Sequence, residues 1–140
     1  MAAVNPYLQF DGNCEAAFNF YRSVFQTEFQ TLSRFGDAPA NGGICPGPEN
    51  NIMHVALPIG RGTLLMGSDT PEGSPAFQEG NNFALALNPD NEEEAKRLFA
   101  ALSEGGTVIM PMEKTFWGAL FGLVKDAYGI SWMVNYMLAQ

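Results

Sequence analysis

The sequence predicts an α+β fold built from two tandem copies of a β-α-β-β-β module. The first observation is a short strand-like run followed by an amphipathic helix, and this pair occurs twice. The helical stripe begins after Asn13 in the first half and after Asn91 in the second half. The second observation is that three further strand-like runs follow each helix. An internal repeat constrains the whole architecture, so it says more about the fold than about the chemistry.

The first module is predicted to span about residues 4–68. Its strands show alternating apolar side chains bounded by turn residues, whereas its helix shows apolar positions three and four apart. Glu15 lies in the first helical turn, where a carboxylate interacts favourably with the helix dipole. The Gly- and Pro-rich residues 36–51 are predicted to form a mobile loop, and residues 60–62 a hairpin turn. The predicted elements are a strand over 4–10, a turn and helix cap over 11–13 with Asn13 at the start of the helix, a helix to about Phe25, and strands over 28–35, 52–59 and 63–68.

Residues 69–80 are predicted to link the modules, and the second module spans about residues 81–138. Asn91 and Glu94 have the spacing of a capping box at the start of the second helix. The last strand follows a turn and places residues 130, 132, 134 and 136 on one strongly apolar face. The predicted elements are a strand over 83–87, a helix from Asn91 to Gly105, a strand over 107–110, a loop over 111–117, and strands over 120–125 and 130–137.

The composition fits a single domain over residues 1–140 and argues against several classes of partner. The chain is 46% hydrophobic, which is ample for a core, and its net charge is -8. Nucleic acids and anionic membranes require a basic surface, so neither is expected as a partner. No apolar run approaches a membrane span, and the N-terminus lacks the features of a secretory signal. Since Cys14 and Cys45 form neither a metal-site spacing nor a disulfide framework, we expect a cytoplasmic protein.

Six segments carry a resemblance to a known family. They are residues 6–10, 16–21, 52–55, 104–108, 116–118 and 126–133. The segment Phe116-Trp117-Gly118 is the most characteristic of them. Together they resemble the vicinal oxygen chelate superfamily, which includes glyoxalase I, bleomycin-resistance proteins and extradiol dioxygenases. Within it the chain is similar to the PhnB-like, glyoxalase-like subfamily, and the resemblance covers essentially the whole chain.

This resemblance implies two βαβββ modules forming curled mixed sheets around a concave cavity, each with its helix on the convex side. It also implies a single glyoxalase-like domain, a small-molecule ligand and a homodimer, because the cavity of such proteins is often shared between two copies. Subfamily members are often labelled as demethylubiquinone methyltransferases. We do not expect that activity, since a nucleotide-type methyl donor normally needs an α/β sheet with a Gly-rich first turn, which this sequence lacks.

Metal-dependent members of the superfamily hold their ion with His or Glu side chains at four positions. Mapped by strand and turn, these positions fall near Asn5, Met66 or Gly67, Phe83 and Met133. None of these side chains is a good ligand for a divalent metal that prefers imidazole or carboxylate. With one histidine in the chain, the usual mixed set cannot be built in full. The resemblance therefore predicts no metal and no cofactor at the family position.

Five side chains are candidate ligand-binding groups. His54 lies opposite an apolar strand face, where its imidazole could form hydrogen bonds or act as the candidate catalytic base. The alternative is a structural histidine bonded to a neighbouring strand. Tyr7, Gln9 and Asn135 are expected on the concave face, as inward polar groups that require partners. Trp117 is predicted either to stack on a planar ligand or to anchor its loop in the core or a dimer interface.

Three functional hypotheses remain open at this point, and catalysis itself is undecided. The first is a small-molecule binding protein with a metal-free cavity. The second is a divalent-metal-dependent lyase, isomerase or dioxygenase with a relocated metal site, or with His54 acting alone. The third is an interaction module with a vestigial cavity. Missing family ligands favour the first and third. Cys14 is also considered as a nucleophile because a helix N-terminus favours a thiolate.

Overall fold

Each half of the chain forms one four-stranded mixed sheet with one helix packed against it. The computed structural model describes residues 2–37 and 47–138, and it divides into unit 1 (Met1–Gln78) and unit 2 (Glu79–Gln140). The described residues contain two helices and eight strands, in the order β-α-β-β-β in each unit. The predicted α+β class with two modules is confirmed. The loop predicted over residues 36–51 includes residues 38–46, which lie outside the described ranges.

Unit 1 contains strands β1 to β4 and helix α1. The sheet order is β1-β4-β3-β2. β1 runs parallel to β4, whereas β3 is antiparallel to both of its neighbours. A short 3-10 turn at Phe35–Asp37 follows β2, where the sequence had predicted the end of a longer strand. The elements are β1 (Tyr7–Phe10), α1 (Cys14–Phe25), β2 (Thr31–Arg34), β3 (Ile52–Gly60) and β4 (Thr63–Asp69).

Helix α1 covers one face of the unit 1 sheet with an aromatic contact. Phe18 and Tyr21 are completely buried, and the Phe18 ring meets Phe10 of β1 edge to face at a centroid distance of 6.2 Å. Gly67 lies under the same ring, because a Cβ at this position would be 2.7 Å from Phe18. The absence of a side chain in β4 therefore allows the helix to approach the sheet closely.

The N-terminus of α1 is capped by a residue from the far end of the unit. The sequence predicted Asn13 as the cap, but the Asn13 side chain makes no capping hydrogen bond. Asp69, at the end of β4, instead accepts from the backbone N–H groups of Gly12 and Cys14, at 2.9 and 3.0 Å. Its second oxygen accepts from the N–H of Ile52 at 2.8 Å. The buried carboxylate thus joins α1, β3 and β4, although the sequence had assigned it to a linker.

Unit 2 repeats the topology, with sheet order β5-β8-β7-β6 and β5 parallel to β8. The capping box predicted at its helix is present, since Asn91 accepts from the Glu94 N–H at 2.8 Å. Gly122 lies under Phe99 of the helix, as Gly67 lies under Phe18 in unit 1. The elements are β5 (Leu85–Leu87), α2 (Glu92–Ser103), β6 (Thr107–Lys114), β7 (Ala119–Lys125) and β8 (Ser131–Met137).

Strand β6 is longer than the sequence predicted. The predicted loop began at Pro111, but β6 continues through this proline to Lys114. The strand lies at the edge of its sheet, where a missing N–H does not interrupt a second ladder. Its pairing with β7 is also irregular on both sides of Met110. A proline signal is therefore weaker in an edge strand with bulges than in a central strand.

Neither helix of the described residues is long and apolar enough to span a membrane.

Candidate functional site

The face of the unit 1 sheet opposite α1 carries a set of polar and aromatic side chains. Directly paired residues share a face, so the strand register defines this surface. Tyr7 of β1 pairs with Met66 of β4, and Met66 pairs with Ala56 of β3. His54 of β3 pairs with Ser33 of β2. We call this surface, which also includes Gln9 and Ser68 as a further pair, the open face of unit 1.

Tyr7 and His54 stack on the open face of unit 1. Their ring centroids are 5.9 Å apart and the rings are inclined by only 23°. The two residues belong to β1 and β3, which are separated by β4, so the rings meet across an intervening strand. Tyr7 is 46% exposed and His54 is partly exposed. The structure thus brings together two of the candidate residues and leaves both accessible.

The candidate polar side chains on this face do not form hydrogen bonds with one another. Within the described residues, no hydrogen bond involves the Tyr7 hydroxyl, the Gln9 amide or the His54 imidazole, although Tyr7 and His54 share a ring contact. The alternative of a structural histidine bonded to the next strand therefore has no support from the described residues. Donors and acceptors that face solvent in this way are available to a ligand.

The face of the unit 2 sheet opposite α2 has a different character. Phe121 of β7 pairs with Asn135 of β8, and Leu123 pairs with Met133. Glu113 of β6 lies directly opposite Phe121 on its other side. We call this surface the open face of unit 2. It presents large apolar side chains, an amide and a carboxylate, with Lys125 at the far end of β7.

Trp117 lies beside the open face of unit 2 and is half exposed. Its ring meets Phe121 at a centroid distance of 6.2 Å, inclined by 69°. The preceding Phe116 is 98% exposed and packs edge to face on Trp117 at 5.1 Å. Trp117 is therefore not buried in the core of the chain. This exposure excludes the predicted anchor in the core. Ligand stacking and an anchor in a dimer interface are both compatible with it.

Asn135 reaches the same surface from the last strand. Its side chain shares the face of Phe121, while its backbone carbonyl accepts from the Asn88 amide at 3.2 Å. Asn135 therefore lies on the open face of its own unit, as Tyr7 and Gln9 do in unit 1.

The four family metal positions have other roles here. The Asn5 side chain accepts from the Leu64 N–H at 2.9 Å. Gly67 packs under α1, Phe83 is 59% exposed, and Met133 lies on the open face of unit 2. No group of three or more His, Cys, Asp or Glu side chains that could hold a metal occurs in residues 2–37 and 47–138. The residues at these positions do not fit a divalent ion.

Cys14 does not have the environment of a nucleophile. The residue is the first of α1 and is fully buried. Burial raises the pKa of the thiol far above its ordinary value, and the nearby Asp69 and Glu15 charges raise it further. These effects outweigh the helix N-terminus, which by itself would favour a thiolate. The thiol is therefore protonated and inaccessible.

Several residues of the open faces were not among the predicted ligand-binding residues. Ser33, Met66 and Ser68 line the face of unit 1, and Glu113 and Phe121 line that of unit 2. Alternation along β4 and β7 could have indicated their faces, since Leu65 and Gly122 belong to the helix side. The neighbours of His54 and Trp117 depend on how the strands pair. This pairing cannot be predicted from the sequence of any one strand.

Comparison with solved structures places the fold among glyoxalase-like proteins. A glyoxalase/bleomycin resistance protein/dioxygenase family enzyme from Burkholderia phytofirmans PsJN has a TM-score of 0.61 at 16% identity, covering 96% of this chain and 100% of the other. At this identity the likeness concerns the fold alone. It agrees with the two-module fold that the predicted resemblance implies.

The chain belongs to the family described as 3-demethylubiquinone-9 3-methyltransferase, whose model matches residues 2–135. Protein PA1353 from Pseudomonas aeruginosa is similar, with 37% identity and a TM-score of 0.85 over 99% of this chain and 100% of that chain. Protein YjdN from Escherichia coli (strain K12) is 31% identical, covering 98% of this chain and 97% of the relative. The predicted resemblance to the PhnB-like subfamily is thereby confirmed.

The family name describes a methyltransferase, but the described residues do not contain the usual site for a nucleotide-type methyl donor. Such a site normally uses a parallel sheet and a Gly-rich turn between the first strand and helix. Here both sheets are mixed, and the turn between β1 and α1 contains a single glycine, Gly12. Our expectation that the chain is not a methyltransferase stays a prediction.

Proposed function

We propose that this chain binds a small molecule through the open faces of its sheets, without a metal ion at the family position. The observation that carries the proposal is the stacked pair of Tyr7 and His54, at 5.9 Å, on a sheet face that α1 does not cover. Aromatic side chains usually bury their large apolar surface in the core. The rings of Tyr7 and His54 are instead partly exposed and stacked, so they are suited to contact a ligand.

The chemistry of the open face of unit 1 supports a ligand with both a flat part and polar groups. Stacked rings provide a planar contact, and the imidazole can donate or accept a hydrogen bond. Gln9 adds an amide, and Ser33 adds a hydroxyl directly opposite His54. Apolar surface with a few polar groups around it is typical of small-molecule sites. His54 is also the candidate general base, should the ligand be a substrate.

Trp117 and Asn135 extend the proposal to unit 2. Trp117 offers one of its faces beside Phe121, and Asn135 offers an amide on the same surface. The proposed ligand-binding residues are therefore Tyr7, Gln9, His54, Trp117 and Asn135, as the sequence predicted.

We also propose that the chain forms a homodimer. Val108, Ile109 and Met110 are 45%, 51% and 49% exposed in the edge strand β6. An exposed apolar edge is normally covered by a partner, because it otherwise promotes non-specific association. Sedimentation at micromolar concentration should give twice the monomer mass, and a monomer would contradict this part of the proposal.

A thermal-shift screen with flat, polar small molecules tests the binding function. Hits should stabilise the chain by roughly 2.7 kcal/mol at a hundred times their dissociation constant. His54→Ala and Tyr7→Ala should each weaken binding at the unit 1 face, while the free protein loses only the contribution of the Tyr7–His54 stack to its stability. Phe77→Ala is a matched control, because Phe77 is a 38% exposed ring of the same unit outside its sheet. Hits that are insensitive to both variants would remove this face from the proposal.

Metal analysis of the same preparation tests the competing function, a divalent-metal-dependent lyase, isomerase or dioxygenase. Purified protein should contain substoichiometric metal, and Zn, Ni, Mn or Fe should leave its unfolding temperature unchanged. A stoichiometric metal with strong stabilisation would favour the enzyme instead. A protein that takes no small molecule but captures a macromolecule would favour an interaction module.

A further inference from the structure

Three aromatic rings form an exposed cluster at one end of the open face of unit 2. Phe116, Trp117 and Phe121 pack edge to face in sequence, with centroid distances of 5.1 and 6.2 Å. Phe116 is almost fully exposed and Trp117 is half exposed. We call these three rings the aromatic cluster. Edge-to-face packing leaves the negative face of some rings turned outward, and such faces attract cations.

The loop that carries the aromatic cluster is held in one conformation by its own hydrogen bonds. Thr115 donates its N–H to the Ala119 carbonyl at 2.8 Å, and its hydroxyl accepts from the Ala119 N–H at 3.1 Å. Gly118 donates to the Thr115 carbonyl, and its own carbonyl accepts from Leu138 at 2.8 Å. Because the loop is ordered before any ligand arrives, binding need not supply that ordering entropy.

The charge beside the aromatic cluster is negative. Glu113 lies directly opposite Phe121 in the β6–β7 ladder, is exposed, and has no ion-pair partner in the part of the chain that the structure describes. The next residue, Lys114, points to the opposite side of the sheet, towards α2. Its charge contributes to lowering the pKa of Glu92 in α2, although the main cause of that shift is the hydrogen bond from Lys96 to Glu92. A carboxylate thus shares the face of the aromatic cluster while the adjacent lysine does not.

Lys125, a cation on the same sheet face as Glu113, is already paired. Lys125 lies at the far end of β7 and forms an ion pair with Glu79 at 3.4 Å. An anionic ligand at the aromatic cluster would face Glu113 and a chain of net charge -8. A neutral ring could stack on Trp117, but it would leave Glu113 without a role.

We propose that the aromatic cluster and Glu113 form a binding site for an organic cation, either a quaternary ammonium or a protonated amine. The cation would lie against the rings of Trp117 and Phe121, and Glu113 would provide the opposite charge. Such contacts are individually modest at exposed positions, where each is expected to change affinity about 2- to 5-fold. This inference deepens the proposed function. It rests on that function only in assuming that the open faces bind ligands.

Tryptophan fluorescence gives a direct test, because the two tryptophans differ in environment. Trp132 is fully buried and donates to Asp126, so a surface ligand should change the emission of Trp117. The probes are choline and its neutral carbon analogue, dimethylbutanol. Choline should quench the emission and bind at least about 3-fold more tightly than dimethylbutanol. Added salt should weaken choline binding alone, since only the charged probe interacts with Glu113 electrostatically.

Two variants complete the test, with binding followed by ligand-observed NMR. Glu113→Gln should weaken choline about 2- to 5-fold and leave dimethylbutanol unchanged. Trp117→Leu should weaken both probes. Glu104→Gln is the matched control, because Glu104 is an exposed acid of the same unit beyond α2.

The possible outcomes separate this inference from the proposed function. Equal affinity for the two probes, no choline binding, or an unchanged choline affinity in Glu113→Gln would each overturn the cation site. The proposed function would survive those results if the screen still yields ligands that depend on Tyr7 and His54. If that screen fails while choline binds as expected, the cation site stands and the role of unit 1 falls.

Discussion

Units 1 and 2 have the same order of elements and the same helix packing, yet their open faces differ in chemistry. Unit 1 presents His54 stacked on Tyr7 with amide and hydroxyl groups around them. Unit 2 presents Trp117 and Phe121 with one carboxylate, Glu113. The helix-facing sides are alike, since in both a glycine lies under a phenylalanine of the helix. The repeat therefore preserves the packed face and leaves the other face to diverge.

The units also differ in how they use a buried carboxylate. Asp69 is 1% exposed and binds three backbone N–H groups from two separate segments of unit 1, residues 12–14 and Ile52. Asp126 is 4% exposed and binds the N–H groups of Tyr128 and Ile130 in its own turn, together with the indole of Trp132. The first carboxylate joins distant elements, whereas the second stabilises a local turn and one core side chain. This difference predicts different sensitivities to mutation.

The largest effect is expected for Asp69→Ala. Removing the carboxylate leaves buried N–H groups without acceptors, and the free energy of unfolding should fall by about 3 kcal/mol or more. Asp126→Ala should cost about 2 kcal/mol, because its turn can partly relax towards water. Urea unfolding measures both, with the exposed Asp11→Asn as a control. Equal losses in the two variants would contradict the distinction between the carboxylates.

A smaller effect is expected where each helix contacts its sheet. Gly67→Ala would bring a Cβ to 2.7 Å from Phe18 and 2.8 Å from the Leu8 carbonyl oxygen. Gly122→Ala would meet only side chains among its nearest atoms, Met112 and Phe99, at 2.6 Å. Overpacking of this kind costs roughly 1–3 kcal/mol, and Gly67→Ala should lie at the upper end because backbone adjusts less readily. Thermal unfolding of the two variants measures this difference. If the distance of the closest contact alone set the cost, Gly122→Ala would have the lower unfolding temperature.

The two open faces should respond independently to mutation. Tyr7→Leu removes the stack with His54, which should cost the free protein about 1 kcal/mol, the typical value of an aromatic pair, and it should also weaken a unit 1 ligand. It should not change the quenching of Trp117 by choline. Trp117→Leu should weaken choline binding, followed by ligand-observed NMR, and leave the affinity of a unit 1 ligand unchanged. Binding titrations of the single and double variants test this, and strong non-additivity would show that the faces act as one site.

The smallest effect is expected for the surface ion pairs, and it depends on pH. The hydrogen bond from Arg34 to Glu15 lowers the pKa of that carboxyl, and the Arg34 charge adds to this effect, so the pair stabilises the fold above the ordinary glutamate pKa. The stabilisation is lost as the pH falls through the lowered value. Glu15→Gln should therefore lower the urea midpoint slightly at neutral pH and not at strongly acidic pH.

Glu92→Gln provides the comparison in unit 2. Its carboxyl pKa is lowered chiefly by the hydrogen bond from Lys96 within the same helix. Glu15 and Arg34 instead join α1 to β2 through two hydrogen bonds of 2.9 and 2.7 Å. We expect the unit 1 variant to shift the midpoint more, and a larger shift for Glu92→Gln would show that this geometry has no advantage.

Much of each module could be predicted from local pattern. The capping box of Asn91 and Glu94 was correct because both partners lie within one helical turn. Asn13 occupies the predicted cap position, but its side chain makes no capping hydrogen bond, and a carboxylate from β4 instead accepts from the neighbouring N–H groups of Gly12 and Cys14. The strand end predicted at Pro111 was wrong because an edge position tolerates proline. Errors therefore occurred where a distant residue or a position in the sheet outweighed a local signal.

The sequence by itself determined the two β-α-β-β-β modules and the apolar face of each strand. These properties follow from residue identity and from periodicity along one segment, which are local. Tertiary structure alone decided that Tyr7 meets His54, that Asp69 caps α1 and that Glu113 lies opposite Phe121. Each of these contacts depends on strand order and register, which residues from separate segments establish together when the core is buried.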